Sequence, residues 1–169
     1  MPIEDYPSFP FLPKEYMQEI GRVVLCFNFL ESLVRHTLII ATLGKFANDR
    51  RVESLVTNMN FSQMLDILPA VLKLTDKEVA EIYASHVQSL LKESLTKRNA
   101  TVHHTWYNFA DGVRRLSIKA KGELKTSLTD LISIEEVRGV SDYIMKGHSE
   151  LINRVTLVLC PTEAPQRGQ

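Results

Sequence analysis

The sequence has little cysteine and none of the spacings typical of a disulfide framework or a metal site. Only Cys26 and Cys160 occur in 169 residues, and neither belongs to a Cys-x-x-Cys pair. So few cysteines exclude a disulfide-rich fold and favour free thiols in a reducing compartment. Zinc-ligand spacings, a glycine-rich phosphate loop and a Ser/His/Asp arrangement are also absent, so we expect neither a metal nor another cofactor.

An excess of one charge is absent as well. The chain has 20 basic and 20 acidic residues, which gives a formal net charge of zero. Proteins that coat nucleic acid non-specifically carry a large basic excess, so any nucleic acid would have to bind at a local basic patch. The N-terminus has no basic segment followed by an apolar run, and no stretch approaches the ~18 uncharged apolar residues of a membrane span. We therefore expect a cytoplasmic protein without a membrane partner.

Helical periodicity covers most of the chain. Apolar residues recur every three or four positions from Lys14 to Leu43 and predict a long first helix, which is central or also forms a subunit interface. Residues 45–60 are polar and are predicted to be irregular. A second helix is predicted over residues 62–74, with a kink or an interruption at Pro69.

Two capping boxes mark the starts of later helices. Thr75 with Glu78 begins the third predicted helix, and Ser133 with Glu136 begins the last. Between these helices, alternating residues over 113–128 predict a β-hairpin after an Asp-Gly turn. The pattern predicts a mainly α fold, a bundle of four to five helices with a small β-hairpin before the last helix.

The ends of the chain differ from its centre. Residues 1–13 contain several prolines and are predicted to form an extended arm, and residues 161–169 are predicted to be a disordered tail. No repeat or low-complexity linker divides residues 14–160, which we expect to form a single domain.

The third helix breaks its own apolar pattern at Arg98, where the period asks for a hydrocarbon side chain. Asn99 follows directly, and two histidines, His103 and His104, come shortly after. This segment resembles the signature of the HEPN superfamily, which is an arginine, a polar residue and then a histidine a few positions later. Glu31, in the middle of the first helix, resembles a recurrent acidic position of that family.

The resemblance implies a function as well as a fold. HEPN proteins are bundles of four or five helices with the motif near the end of a late helix, and the motifs of two subunits face a common cleft. By resemblance, His103 transfers protons, Arg98 binds the phosphate and Asn99 orients one of them. We therefore predict a metal-independent endoribonuclease of the toxin or defence type that acts as a homodimer and cleaves RNA by 2′-OH attack.

The chemistry of these residues suits that reaction. RNA carries its own nucleophile, the ribose 2′-OH beside each phosphate. Histidine can exchange a proton near neutral pH, and the planar fork of arginine donates two hydrogen bonds to phosphate oxygens. On an ideal helix, however, Arg98 and His103 stand about 140° and about 7.5 Å apart. They can share a phosphate only if the helix bends or unwinds near Thr101, or if the side chains reach around it.

Several alternatives remain open. His104 could replace His103 as the functional histidine. Arg98 could simply pair with Glu31 or Glu93 and tie two helices together. The protein could also be a non-catalytic dimeric module that binds RNA or a protein partner, or a toxin whose antitoxin covers the cleft.

Weaker candidates for RNA binding follow the motif. Trp106 could stack on a base, or it could fix the next segment to the core. The predicted hairpin is rich in basic residues that could contact the RNA backbone, or it could be an ordinary solvated hairpin. These residues are Arg114, Arg115, Lys119 and Lys121.

Overall fold

The computed structural model describes residues 12–43, 50–121 and 123–160, so the predicted tail and most of the predicted arm lie outside the described residues. The fold is mainly α, as predicted, with a small antiparallel sheet before the last helical segment. In chain order, the helices and strands are α1 (Lys14–Leu43), α2 (Arg50–Thr57), α3 (Phe61–Thr75), α4 (Lys77–Ile82), α5 (Gln88–Val102), β1 (Thr105–Phe109), β2 (Gly112–Lys121), β3 (Glu123–Leu128), α6 (Ile134–Leu151) and α7 (Leu157–Leu159).

The central helix is α1, and its bounds are those predicted from the sequence. It packs against α6, α3 and α5, and its buried residues recur at helical spacing on the faces towards those helices. By length and composition alone α1 could cross a membrane, contrary to the expectation from the sequence. Within the described fold α1 packs an apolar stripe against the neighbouring helices, and 44% of its most apolar window is buried.

The segment before the third predicted helix differs from the prediction in three places. A short helix, α2, forms within the region predicted to be irregular. α3 continues through Pro69 without the predicted interruption, and buried Leu65, Leu68 and Leu72 hold it in the core on both sides of the proline. The alternative prediction, a kink at Pro69, stays a prediction. The predicted cap at Thr75 is also wrong.

The N-cap of α4 is Asp76. Its carboxylate accepts hydrogen bonds from the backbone amides of Glu78 and Val79 at 3.0 and 3.1 Å. Thr75 is instead the last residue of α3, where its hydroxyl lies 2.7 Å from the Ala41 carbonyl. An aspartate caps a helix at least as well as a threonine, so the neighbouring residue takes the role.

Two π-helical turns join helices without a break. Tyr83–Val87 connects α4 to α5, so that the three segments form the single long helix predicted from the sequence. Ile152–Thr156 connects α6 to α7 in the same way. These continuous helices, together with α1, α2 and α3, make five helical units.

The sheet has three strands in the order β1-β2-β3, with both pairs antiparallel. The predicted hairpin is confirmed as β2 and β3, but β1 was missed because its burial does not alternate. Gly112 opens β2 with a φ of +135°, a conformation that favours glycine. A Cβ at this position would also lie 2.9 Å from the Leu131 side chain.

The predicted capping box at the start of α6 is confirmed. The Ser133 hydroxyl accepts from the Glu136 amide at 3.1 Å, and the Glu136 carboxylate accepts from the Ser133 amide at 2.7 Å. We expect Ser133→Ala to lower the free energy of unfolding by about 1 kcal/mol, because the Glu136 amide loses the hydroxyl that accepts its hydrogen bond. Urea denaturation measures the change. Ser149→Ala, at an exposed serine inside α6, is the control and should not destabilise; equal losses in both variants would contradict the cap.

Candidate functional site

The predicted site lies at the carboxyl end of α5. The helix ends at Val102, and His103 is its C-cap, with φ −97° and ψ 0°. The backbone amide of His103 donates to the Asn99 carbonyl at 3.1 Å, which closes the last turn. Because the helix stops here, the imidazole of His103 can turn back towards the preceding turn rather than continue around the helix.

The Arg98 side chain contacts both His103 and Asn99, the other two residues of the predicted motif. Its Nη1 lies 2.6 Å from Nε2 of His103 and 3.0 Å from Oδ1 of Asn99. Arginine can only donate, so this contact uses a neutral imidazole whose Nε2 accepts and whose Nδ1 carries the proton. Arg98 and His103 would stand apart on an ideal helix, but they meet within one chain. The helix ends after Val102, and the two side chains reach around its end.

The Arg98 guanidinium is held on an aromatic ring. Its Cζ lies 5.2 Å from the centre of the Phe27 ring, within the range of a cation–π contact. Its Nε is buried without a hydrogen-bond partner. Among the described residues no carboxylate forms an ion pair with Arg98. The arginine is therefore half-buried, oriented and not neutralised.

Both carboxylates that could have neutralised Arg98 have other partners. Glu31 forms an ion pair with Arg35 at 3.2 Å, one helical turn away, and Arg35 donates to the carbonyls of Val56 and Thr57. Glu31 thus helps to fix the end of α2 to α1. The alternative in which Arg98 pairs with Glu31 or Glu93 does not match the structure.

Glu93 lies on the other side of α5. It accepts a hydrogen bond from the Tyr143 hydroxyl at 2.5 Å and pairs with Lys97 at 3.2 Å. These contacts lower the pKa of Glu93, with the Tyr143 hydrogen bond as the largest cause, and the pKa of Tyr143 is raised to about 12 by burial and by Glu93. The cluster ties α5 to α6 and leaves Arg98 untouched.

A cleft opens beside Arg98. It has a volume of about 300 Å³ and lies between α1, the start of α3 and α5. Glu31 reaches the same cleft as Arg98 and Asn99, which places the predicted acidic residue beside the motif although it does not bind the arginine. Its lining residues are Phe27, Glu31, Asn60, Phe61, Ser62, Leu95, Arg98 and Asn99.

The two histidines have different surroundings. His103 is exposed, and its Nε2 contacts Arg98. His104 is half-buried, and its Nδ1 is enclosed without a hydrogen-bond partner. The described contacts include none between His104 and Arg98. Of the two, only His103 stands where it could share a ligand with Arg98.

Two residues first considered for RNA binding cap the end of α5. Nε1 of Trp106 donates to the Thr101 carbonyl at 2.8 Å, and Nη1 of Arg115 donates to the Ala100 carbonyl at 2.9 Å. Helix ends leave such carbonyls without intrahelical partners. The Arg115 guanidinium also lies 5.4 Å from the centre of the Trp106 ring, and burial lowers the pKa of Arg115.

This capping role was missed for both residues, since the alternative considered for Trp106 was only that it fixes the next segment to the core. Nothing in the spacing of the sequence signals that Arg115 bonds a carbonyl fifteen residues earlier. The register of the sheet creates the contact, because Trp106 pairs with Arg115 across β1 and β2. The sheet therefore holds the last turn of α5, and with it the backbone that carries His103.

The structure gives side-chain contacts for only one of the other three basic residues predicted to bind RNA, Arg114. Arg114 pairs with Asp111 at 2.6 Å and lies 6.0 Å from the centre of the Phe109 ring. In the backbone register, Lys119 is opposite Lys125 and Lys121 is opposite Glu123. The side chains of Lys119 and Lys121 lie outside the described part of the structure, so their predicted contact with RNA stays a prediction.

Among residues 12–43, 50–121 and 123–160, no group of three or more His, Cys, Asp or Glu side chains could hold a metal ion. No protein-family model, curated protein or solved structure matches the chain. The resemblance to the HEPN superfamily therefore depends on the motif around Arg98 and on the helical architecture.

Proposed function

We propose that the protein is a metal-independent endoribonuclease that binds the phosphate to be cleaved at Arg98 and transfers the proton of the ribose 2′-OH to His103. The observation that carries the proposal is the Arg98 guanidinium, which pairs with no carboxylate of the described residues and contacts His103 and Asn99 beside an open cleft. A half-buried cation without a counter-charge is costly, and a phosphodiester would supply that charge.

The contact between Arg98 and His103 suggests how the substrate starts the reaction. In the free protein Nε2 of His103 accepts from Arg98 at 2.6 Å. A phosphate that takes the N–H groups of Arg98 would compete with this contact and release Nε2. Asn99 accepts from the same Nη1, so it would keep the guanidinium in place during the exchange.

The chemical step then balances within the RNA and the solvent. The 2′-OH gives its proton to Nε2 of His103, and the 2′ oxygen forms a bond to phosphorus. The bond between phosphorus and the 5′ oxygen breaks, and that oxygen takes a proton from water. The imidazolium of His103 later returns its proton to solvent. The products are a 2′,3′-cyclic phosphate and a 5′-OH end, and Arg98 offsets the charge on the phosphorane.

A homodimer is part of the proposal. Leu25 and Phe29, on one face of α1, are 60% and 61% exposed, but that face lies about 160° around the helix from Phe27 and the cleft beside Arg98. A dimer with facing motifs therefore depends on the resemblance. The resemblance to the HEPN superfamily implies that two motifs face each other. An antitoxin that covers the cleft is a further possible partner and would block access to Arg98.

The function is tested by incubating the purified protein with single-stranded RNA in the presence of EDTA. We expect fragments that end in a 2′,3′-cyclic phosphate. The matched control is the same strand with 2′-deoxy nucleotides, which keeps the phosphates but lacks the nucleophile and should stay intact. Cleavage of the deoxy strand would contradict the mechanism. Salt-sensitive binding without cleavage would favour the non-catalytic RNA-binding module.

A further inference from the structure

A second cleft lies on the opposite side of α5, between that helix, β2 and α6. Its volume is about 410 Å³. Two of its lining residues, Lys97 and Arg115, are basic, and one, Glu136, is acidic. The others are small or apolar and line the rest of the cleft: Ala100, Thr101, Gly139 and Val140.

Burial lowers the pKa of Arg115, and the nearby charge of Glu136 opposes part of that effect, so the carboxylate offsets some of the positive charge of this cleft. The Glu136 carboxylate accepts from the Ser133 amide at 2.7 Å, as part of the cap of α6. Among the described residues it forms no ion pair with Lys97 or Arg115. Arg115 uses Nη1 for the Ala100 carbonyl, and its Nε is buried without a partner. Lys97 forms an ion pair with Glu93, a half-exposed residue that does not line the cleft.

The lining fits one unit of a nucleic acid. Cationic side chains bind a phosphate, while a base or ribose can lie on small apolar residues. The surface at Gly139 is open, because a Cβ built there would meet nothing within 4 Å. A ligand can therefore approach the backbone of α6 at this point of the cleft that Lys97 and Arg115 also line.

The position of the cleft relates it to the proposed catalytic site. Lys97 lines the second cleft and Arg98 lines the first, although the two residues are adjacent in the sequence. Both clefts flank the last turns of α5, a helix about 10 Å across with its side chains. A single strand that passes over His103, which is exposed at the C-cap of α5, can reach both clefts with a few nucleotides.

We propose that the second cleft binds a nucleotide that lies a few positions from the scissile phosphate on the same RNA strand. Lys97 and Arg115 bind its phosphate, and its base or ribose lies over Gly139 and Val140. The proposal rests on the proposed function, since it places the cleaved phosphate at Arg98.

The test places a charge in the cleft without removing any contact. In Gly139→Glu a carboxylate enters beside Lys97 and Arg115, and Gly139→Gln adds almost the same volume without the charge. Both replacements are better helix formers than glycine, so α6 should remain folded. Gly21→Glu is the control, because a Cβ at Gly21 also meets nothing within 4 Å and the net charge changes equally.

Binding of a single-stranded RNA long enough to span both clefts is measured by fluorescence anisotropy in a His103→Ala background, which prevents cleavage. We expect Gly139→Glu to weaken affinity by about tenfold or more, Gly139→Gln to weaken it less, and Gly21→Glu to leave it unchanged. With His103 present, cleavage of a dinucleotide should be unchanged in Gly139→Glu, because a dinucleotide does not reach the second cleft.

The outcomes separate this proposal from the catalytic one. If RNA is cleaved and Gly139→Glu binds the long strand as tightly as Gly21→Glu, the second cleft is not a subsite, and the proposed function stands. If RNA is bound but never cleaved, and Gly139→Glu still weakens binding, the second cleft binds a nucleotide, but the catalytic proposal is wrong and so is the position assigned relative to a scissile phosphate. An equal loss in Gly139→Glu and Gly21→Glu would show a general charge effect and overturn the subsite.

Discussion

His103→Ala is expected to lower kcat for RNA cleavage by about 10²–10⁴-fold, the usual contribution of a positioned acid–base group. The imidazole is exposed at the end of α5, and Nε2 is the atom that Arg98 orients at 2.6 Å. In the proposed mechanism its removal leaves the 2′-OH without a proton acceptor, while the cleft beside Arg98 keeps its lining. Single-turnover cleavage of a labelled RNA measures the effect.

The controls for this prediction are the other histidines. His104→Ala tests the alternative assignment, and we expect it to retain activity because His104 has no contact with Arg98 in the described structure. His36→Ala, at an exposed position of α1, controls for the loss of any histidine. A large loss in His104→Ala together with a small loss in His103→Ala would reverse the assignment.

Arg98 should be sensitive to shape as well as to charge. Its Nη1 donates to both His103 and Asn99, and the flat guanidinium lies over the Phe27 ring. Lysine retains the charge but not the planar fork, so Arg98→Lys should not restore the rate that Arg98→Ala loses. This difference distinguishes an oriented phosphate ligand from a general electrostatic attraction.

Local sequence signals predicted most of the helices. The apolar period gave the bounds of α1, and the Ser133 and Glu136 pair marked the start of α6, because both depend on residues within a few positions of each other. The same signals were ambiguous where neighbours compete for a role. Thr75 and Asp76 are both good caps, and only the packing of Thr75 against the Ala41 carbonyl decides between them.

The candidate site was predictable in its residues but not in its geometry. The interruption of the apolar pattern singled out Arg98, whereas the ideal helix argued against its meeting His103. The meeting depends on where α5 ends, and that end is fixed by contacts from the sheet. β1 itself was missed because its burial does not alternate. The contacts that Trp106 and Arg115 of the sheet make with the end of α5 could therefore not be inferred from periodicity.

Trp106→Phe is expected to lower kcat by up to about 10²-fold while leaving KM nearly unchanged. The indole N–H donates to the Thr101 carbonyl at 2.8 Å and so holds the turn that precedes His103. Phenylalanine keeps an aromatic ring against Arg115 but cannot donate this hydrogen bond. Displacing a catalytic group by about 1 Å can reduce a rate by this amount. Steady-state kinetics on a short RNA separates kcat from KM.

The same measurement decides between the two roles considered for Trp106. If the Trp106 ring stacked on a base of the substrate, Trp106→Phe would largely preserve that contact and would keep kcat. Trp106→Ala would then lose the contact and raise KM. Tyr107→Phe is the matched control, an aromatic residue of the same strand, and should have little effect. If Trp106 positions His103, kcat should fall whenever the indole N–H is removed, even when an aromatic ring remains. The reason is that this N–H binds the Thr101 carbonyl, in the turn that places His103 next to Arg98.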